Sequence, residues 1–197
     1  MLTDQDILHR YQAKQAEFTK QADISLIGHS LFDMWGDLPS GTPHLAGKTV
    51  ANLGISGVSA RQYLEVIARE GRITQLGSDV FLFLGVNDIA KEPDYSPQQA
   101  LDWILQIIRH CRHIAPHARY YLLEATPVNQ INTVENAQIL AMNAYFKQHC
   151  PADIVFIPTW DQFKNAQNEL DLALCHDGLH FTPAGYEVLR GILEAHL

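Results

Sequence analysis

A chain of 197 residues, 47% apolar and 18% charged, can bury one sizeable core and has the balance of a soluble globular protein. Fourteen Lys and Arg against 22 Asp and Glu leave a formal charge of -8, which argues against a nucleic-acid partner, because holding many phosphates needs a cationic surplus. Three widely spaced cysteines, Cys111, Cys150 and Cys175, form no Cys-x-x-Cys pair; they argue against a disulfide framework and for reduced, buried thiols.

The opening "MLTDQDILHRYQ" scatters charges and holds no apolar run of signal-peptide length, and no later stretch approaches the roughly 20 apolar residues of a membrane span. A cytoplasmic address is the expectation, although a chain whose leader had been removed would read the same. Residues 4 to 20 read as an amphipathic helix within a helical extension over 1–22. Its apolar face would dock on its own domain or on a second copy, as in a homo-oligomer. The β-rich run "ISLI" (24–27) follows and ends on Gly28-His29-Ser30. "TVANL" (49–53) runs into "NLGISGVSA", with Gly54 and Gly57. Ser59 and Gln62 then have the spacing of a capping box that opens a helix over 59–70. "DVFLFL" (79–84) leads into "LGVND", Gly85 to Asp88. Ser96 as N-cap and Pro97 at the first helical position open a helix whose Leu101, Ile104, Leu105, Ile108 and Cys111 share one stripe. "ARYYLLEA" (118–125), a helix over 134–149 and "DIVFIP" (153–158) come next. "CHDGLHFTPAGY" carries Asp177 and His180 in a glycine-containing loop before a last helix that starts at Thr182-Pro183 and runs to the C-terminus.

Short apolar runs of the kind buried on both faces, alternating with helices, predict one α/β domain over residues 1–197: a three-layer α/β/α sandwich around a parallel sheet. In open sheets of this kind chemistry gathers beyond the carboxyl ends of the strands. The segments Gly28–Ser30, Gly54–Gly57 and Gly85–Asp88 all fall there.

These residue types answer the demands of acyl transfer. A serine hydroxyl is a poor nucleophile until an adjacent base takes its proton, and the base needs an acceptor on its other nitrogen to hold its tautomer and support its charge. Ser30, His180 and Asp177 can fill those roles, with Asp177 close enough to His180 to act within one loop. A tetrahedral intermediate also needs convergent donors, and the backbone N–H groups of Ser30 and Gly57 with the side-chain amide of Asn87 would supply three. Each feature has an ordinary reading by itself. A serine after a strand caps helices, Gly-x-x-Gly makes turns, Asn and Asp bind their own backbone, and Asp-x-x-His forms a local hydrogen bond. Their occurrence together, in order, each beyond a predicted strand or before the last helix, is what carries the reading.

The pattern resembles the SGNH hydrolase (GDSL esterase/lipase) superfamily, whose four blocks supply serine, glycine, asparagine and histidine. The matching residues are Ser30 in "IGHSLFDMW", Gly57 in "NLGISGVSA", Asn87 in "LGVNDI" and His180 in "DGLHFTPAGY", with Asp177 in the place of the triad acid. The likeness runs from about residue 23 to the C-terminus. It is similar above all to the branch related to platelet-activating-factor acetylhydrolases and carbohydrate esterases, where a tryptophan follows the serine block as Trp35 does. The resemblance implies a flavodoxin-like five-stranded sheet of order 2-1-3-4-5, ester hydrolysis through an acyl-enzyme, and no cofactor and no metal.

One residue departs from the family's Gly-Asp-Ser, because this chain reads Gly-His-Ser. His29 is expected to be structural, with Asp33 taking over a hydrogen bond in the loop; a His29→Asp variant that gained orders of magnitude in rate would show an impaired loop instead. Three other readings compete with this one. An α/β-hydrolase elbow Gly-x-Ser-x-Gly fails at its fifth position, which is Phe32. A metal-dependent hydrolase could use His176 and His180, or His110 and His113, but Gly178 and Thr182-Pro183 oppose a helix across the first pair. A non-catalytic ligand-binding or interaction protein on an esterase shell rests only on the missing aspartate. Leu31, Phe32 and Trp35 after the nucleophile, and Trp160 after the fifth strand, are candidates for a substrate pocket, with packing beneath the loop as the alternative. The expected partner is a small-molecule ester: a short-chain acyl ester, an acetylated sugar, a lysophospholipid or a thioester. Activity is expected to fall as His180 is protonated at acid pH.

Overall fold

Five short strands pair in parallel at the centre of the computed structural model, which describes residues 2–197. They are β1 (Ile24–Gly28), β2 (Val50–Asn52), β3 (Asp79–Phe83), β4 (Arg119–Leu123) and β5 (Ile154–Ile157), in the order β2-β1-β3-β4-β5. The register aligns Ile24 with Val50 and Asp79, and Asp79 with Arg119, so the first four strands start along one edge of the sheet. This is the α/β sandwich and the strand order expected.

Two cores form because successive side chains on a strand point to opposite faces. Ile27, Val80, Leu82, Tyr120 and Leu122 pack on one side, against α1 (Asp4–Ala13), α2 (Gln15–Phe18), the helical segment from α4 (Ala60–Gln62), α6 (Pro97–Ile114) and α7 (Asn136–His149). Leu26, Phe81, Phe83, Tyr121 and Leu123 pack on the other, against α3 (Ser30–Asp33), α8 (Trp160–Phe163) and α9 (Pro183–Glu194). One short helix, α5 (Val86–Lys91), follows β3.

The predicted helix starts hold. Ser59 and Gln62 make the reciprocal capping box, and Ser96 and Thr182 cap α6 and α9 through their hydroxyls. Three expectations change. The N-terminal helix breaks at Lys14, whose backbone (φ -111°, ψ 12°) leaves helical geometry. The helix over 59–70 passes after one turn into a π-helical segment, Tyr63–Ala68, in which Tyr63, Leu64, Val66, Ile67 and Ala68 are all buried. A segment buried around its whole girth carries no 3.6-residue stripe to read. Finally, β5 is an edge strand with Val155 46% exposed, so it is not buried on both faces. All three cysteines are free thiols; Cys111 and Cys175 are buried and Cys150 half-buried. Among the described residues, no helix is long and apolar enough to cross a membrane.

Candidate active site

The end of β1 leaves room for nothing but glycine at position 28. A Cβ there would lie 2.7 Å from the Phe32 ring and 2.9 Å from the Phe83 carbonyl oxygen. His29 follows in extended conformation and caps α3: its Nδ1 accepts the Leu31 N–H at 3.3 Å. An imidazole thus occupies the place of a capping oxygen, and Ser30 becomes the first residue of the helix. Asp33 bonds outside this loop, since its Oδ2 accepts the N–H of Ser56, in the turn after β2, at 2.6 Å.

The loop between Cys175 and Thr182 turns back on itself. His176 N–H donates to the His180 carbonyl at 2.8 Å, and Gly178 adopts φ +82° while its carbonyl accepts the Asn129 N–H at 2.8 Å. Residues 176–180 are therefore a loop, not the helix that a His-x-x-x-His metal pair requires. The loop brings three side chains into one line. Asp177 Oδ1 accepts the N–H groups of Leu179 (3.0 Å) and His180 (2.8 Å), and its Oδ2 lies 2.7 Å from His180 Nδ1. His180 Nε2 lies 3.1 Å from Ser30 Oγ, across 150 positions of chain. Partial burial pushes the Asp177 carboxyl up, but the hydrogen bonds from the His180 ring and from the two N–H groups outweigh it and hold its pKa below the ordinary value. An ionised Asp177 fixes the proton on Nδ1, which leaves Nε2 as the acceptor facing the Ser30 hydroxyl.

Gly57 and Asn87 meet through the residue between the two loops. Gly57 sits at φ +77°, a conformation that side chains rarely adopt, and a Cβ there would also lie 2.5 Å from Leu2. The Asn87 amide donates to the Val58 carbonyl at 2.9 Å, which ties the turn after β3 to the turn after β2. That second turn is tied to β1 by the Ile55 N–H on the Gly28 carbonyl at 2.9 Å.

The sequence profile of the GDSL-like Lipase/Acylhydrolase family matches residues 18–188 of this chain. The chain belongs to that family. An N-acylneuraminate cytidylyltransferase of Escherichia coli O18:K1:H7 is 32% identical over 187 residues, which are 94% of this chain and 43% of that protein. The chain thus spans less than half the length of this curated relative. A Streptococcus pneumonia protein described as a candidate platelet activating factor superposes with TM-score 0.80 at 24% identity, covering 96% of this chain and 94% of the other. A GDSL-like lipase from Bacteroides thetaiotaomicron gives 0.75 at 18% identity, over 96% of each chain. A carbohydrate esterase family 3 protein from Talaromyces cellulolyticus gives 0.60 at 15%, over 89% and 96%. At these identities the structural likenesses show the fold.

Within this GDSL-family chain the residues expected around a substrate divide. Leu31 lines a cavity of about 10 Å³ together with His29, Val86 and Leu179. Phe32 and Trp35 instead point into the core: Phe32 lies edge-on to Phe83 at 5.4 Å, and Trp35 stacks on Tyr186 at 5.3 Å, beneath α9. Phe32 occupies the core side of α3, and Trp35 that of the 3-10 turn that follows it, Met34–Asp37. Trp160 is buried at the start of α8, where its N–H donates to Glu124 Oε2 at 2.8 Å. A cavity of about 600 Å³ lies at the opposite edge of the sheet beside Asp23, Thr49 and Gly77 and holds none of the candidate residues.

Several residues at the site carry no motif. Lys14 Nζ bonds both Asp33 Oδ1 (2.5 Å) and the Gly54 carbonyl (2.7 Å). Arg10 donates to the Ser56 carbonyl at 3.0 Å, and the Lys91 ammonium to the Gly57 carbonyl. Three cations therefore hold three carbonyls of the turn that carries Gly57. Sequence reading missed them because nothing in a lone Arg or Lys announces a partner dozens of residues away.

Proposed function

We propose that the chain is a serine esterase acting through an acyl-enzyme on short acyl esters. The observation that carries this reading is the unbroken hydrogen-bonded line from Asp177 through His180 to Ser30. Ser30 Oγ attacks the ester carbonyl while His180 Nε2 takes its proton; Asp177 holds the ring and balances the charge that forms on it. The oxyanion is met by the N–H groups of Ser30 and Gly57 and by the Asn87 amide, whose second hydrogen is free of the Val58 bond. His180 then returns the proton to the departing alcohol, and water repeats the sequence on the acyl-serine. Each proton in this scheme is handled by the chain's own groups. The alcohol we favour is a sugar hydroxyl, on the ground that the name of the E. coli relative places that protein on an acylated sugar, an N-acylneuraminate.

A fluorophosphonate probe tests the central claim. Native protein should be labelled at Ser30, and Ser30→Ala should lose both labelling and ester turnover while keeping its fold; native protein that resists the probe sinks the assignment. An ester panel graded by acyl length, with O-acetylated sugars included, tests the substrate class.

A further inference from the structure

His29 is unexplained by the esterase scheme. Its ring is 2% exposed, and its two nitrogens have different fates. Nδ1 accepts the Leu31 N–H, so the ring proton resides on Nε2, and that buried N–H has no partner among the described residues. The ring stays neutral in any ordinary medium, because burial first, and then the nearby charges of His180 and Lys91, lower its pKa to about 3. A buried donor without an acceptor is costly, and such groups call for an explanation such as an ordered water or a ligand.

The cavity that His29 lines supplies one. Its volume, about 10 Å³, is about the room of a single water-sized group. Leu31, Val86 and Leu179 line it, and each is the chain neighbour of a reaction residue: Ser30, Asn87 and His180 respectively. Three of its walls are thus joined by one peptide bond each to residues of the proposed reaction. Phe83 and Ala125 complete an apolar wall, and Thr126 is the one other polar side chain. The space suits one small group attached to the acyl carbon chain, and the unpartnered N–H asks that this group be an oxygen.

We propose that this cavity is an acyl subsite for a 2-hydroxyacyl group of glycolyl size, whose hydroxyl accepts a hydrogen bond from His29 Nε2–H. The inference rests on the esterase reading above. A glycolyl ester places its CH₂ next to the reacting carbonyl and its hydroxyl where one water would otherwise sit. A propionyl ester has the same shape with a methyl in that place, and leaves the donor unsatisfied. A site built around a hydrogen bond rejects the analogue that lacks it far more strongly than an apolar slot rejects an extra methylene. Hydrolysis would give glycolate and the free alcohol, with water as the only other reactant.

The test compares glycolyl and propionyl esters of one alcohol, each kcat/KM divided by that ester's own hydroxide-catalysed rate to remove intrinsic reactivity. Wild type should favour the glycolyl ester by about tenfold or more. His29→Asn keeps a capping oxygen but is too short to reach the cavity, and its ratio should collapse toward one whatever its absolute rates. A wild-type ratio near one, or a preference that His29→Asn leaves intact, overturns the subsite; should the variant not fold, the wild-type ratio alone decides. Fluorophosphonate labelling of Ser30 in the same preparation separates the two claims. Labelled protein with no glycolyl preference loses only the subsite, while unlabelled protein that turns over neither ester loses the esterase reading as well.

Discussion

At position 29 the same burial that isolates the imidazole also makes it a source of pH-dependent stability. The folded pKa is about 3 against the 6.5 of an exposed ring. Between those values the unfolded chain binds a proton that the folded chain refuses, so stability is complete above the unfolded value and falls as pH drops through this window. The slope reaches about 1.4 kcal/mol per pH unit. Urea unfolding at pH 7 and pH 5 should show wild type losing roughly 2 kcal/mol more than His29→Asn does over that interval; parallel losses would mean that the ring is not held neutral. Gly178 gives a second prediction at this scale. A Cβ there would stand 1.8 Å from the Asn129 carbonyl oxygen, with φ at +82°, so Gly178→Ala must displace the loop that presents Asp177 and His180. Esterase kcat should fall by about 10²-fold or more, since misplacement of reacting groups by an ångström costs that much.

Among the elements, α1 and the break after it lie ahead of the family match, yet their cations reach the turn that carries Gly57. Arg10 and Lys14 act as positioning residues: they touch backbone carbonyls, not substrate. Without them the turn keeps its glycines but loses two of its three cationic ties. The double variant Arg10→Ala, Lys14→Ala should lower kcat about 10- to 100-fold with KM nearly constant, because the oxyanion donors matter more to the transition state than to the bound ester. Lys14→Arg, which can still reach Asp33 and the Gly54 carbonyl, should recover much of the loss. A rise in KM with kcat unchanged would assign these residues to substrate binding instead.

For the whole molecule, the candidate site and a buried charge cluster sit at opposite edges of one sheet. Ser30, Gly57 and Asn87 follow the carboxyl ends of β1, β2 and β3, whereas the amino edge holds a buried charge cluster. Asp79 is 1% exposed and pairs with Arg119 at 2.6 Å and Lys48 at 3.1 Å. Replacing both cations by alanine strands a buried carboxylate, which should cost about 3–5 kcal/mol. Thermal unfolding should register the loss, while kcat/KM measured where the variant is folded should match wild type. A matching loss of activity would show that the two edges are coupled.

Local chemistry made much of this legible in the sequence. Capping boxes, Pro97 and Pro183 at helix starts, and the glycines at strand ends act between residues a few positions apart, so they can be read from order alone. The four blocks were legible for a related reason: a parallel sheet delivers the ends of successive strands to one edge, and each block follows a strand or precedes the last helix. Other features were settled only by packing. The ties from Arg10 and Lys14 cross 46 and 40 positions of chain, and no local pattern encodes such a reach. Phe32 and Trp35 face the core because α3 and the 3-10 turn after it pack on the sheet, which residue type alone does not say. The sequence by itself determined the fold class and the candidate nucleophile, base and acid, since these follow from periodicity and spacing. Only the tertiary structure decided that His29 uses one nitrogen as a cap and leaves the other buried beside a water-sized space. That outcome depends on which walls close around the ring, and those walls come from four separate segments of the chain.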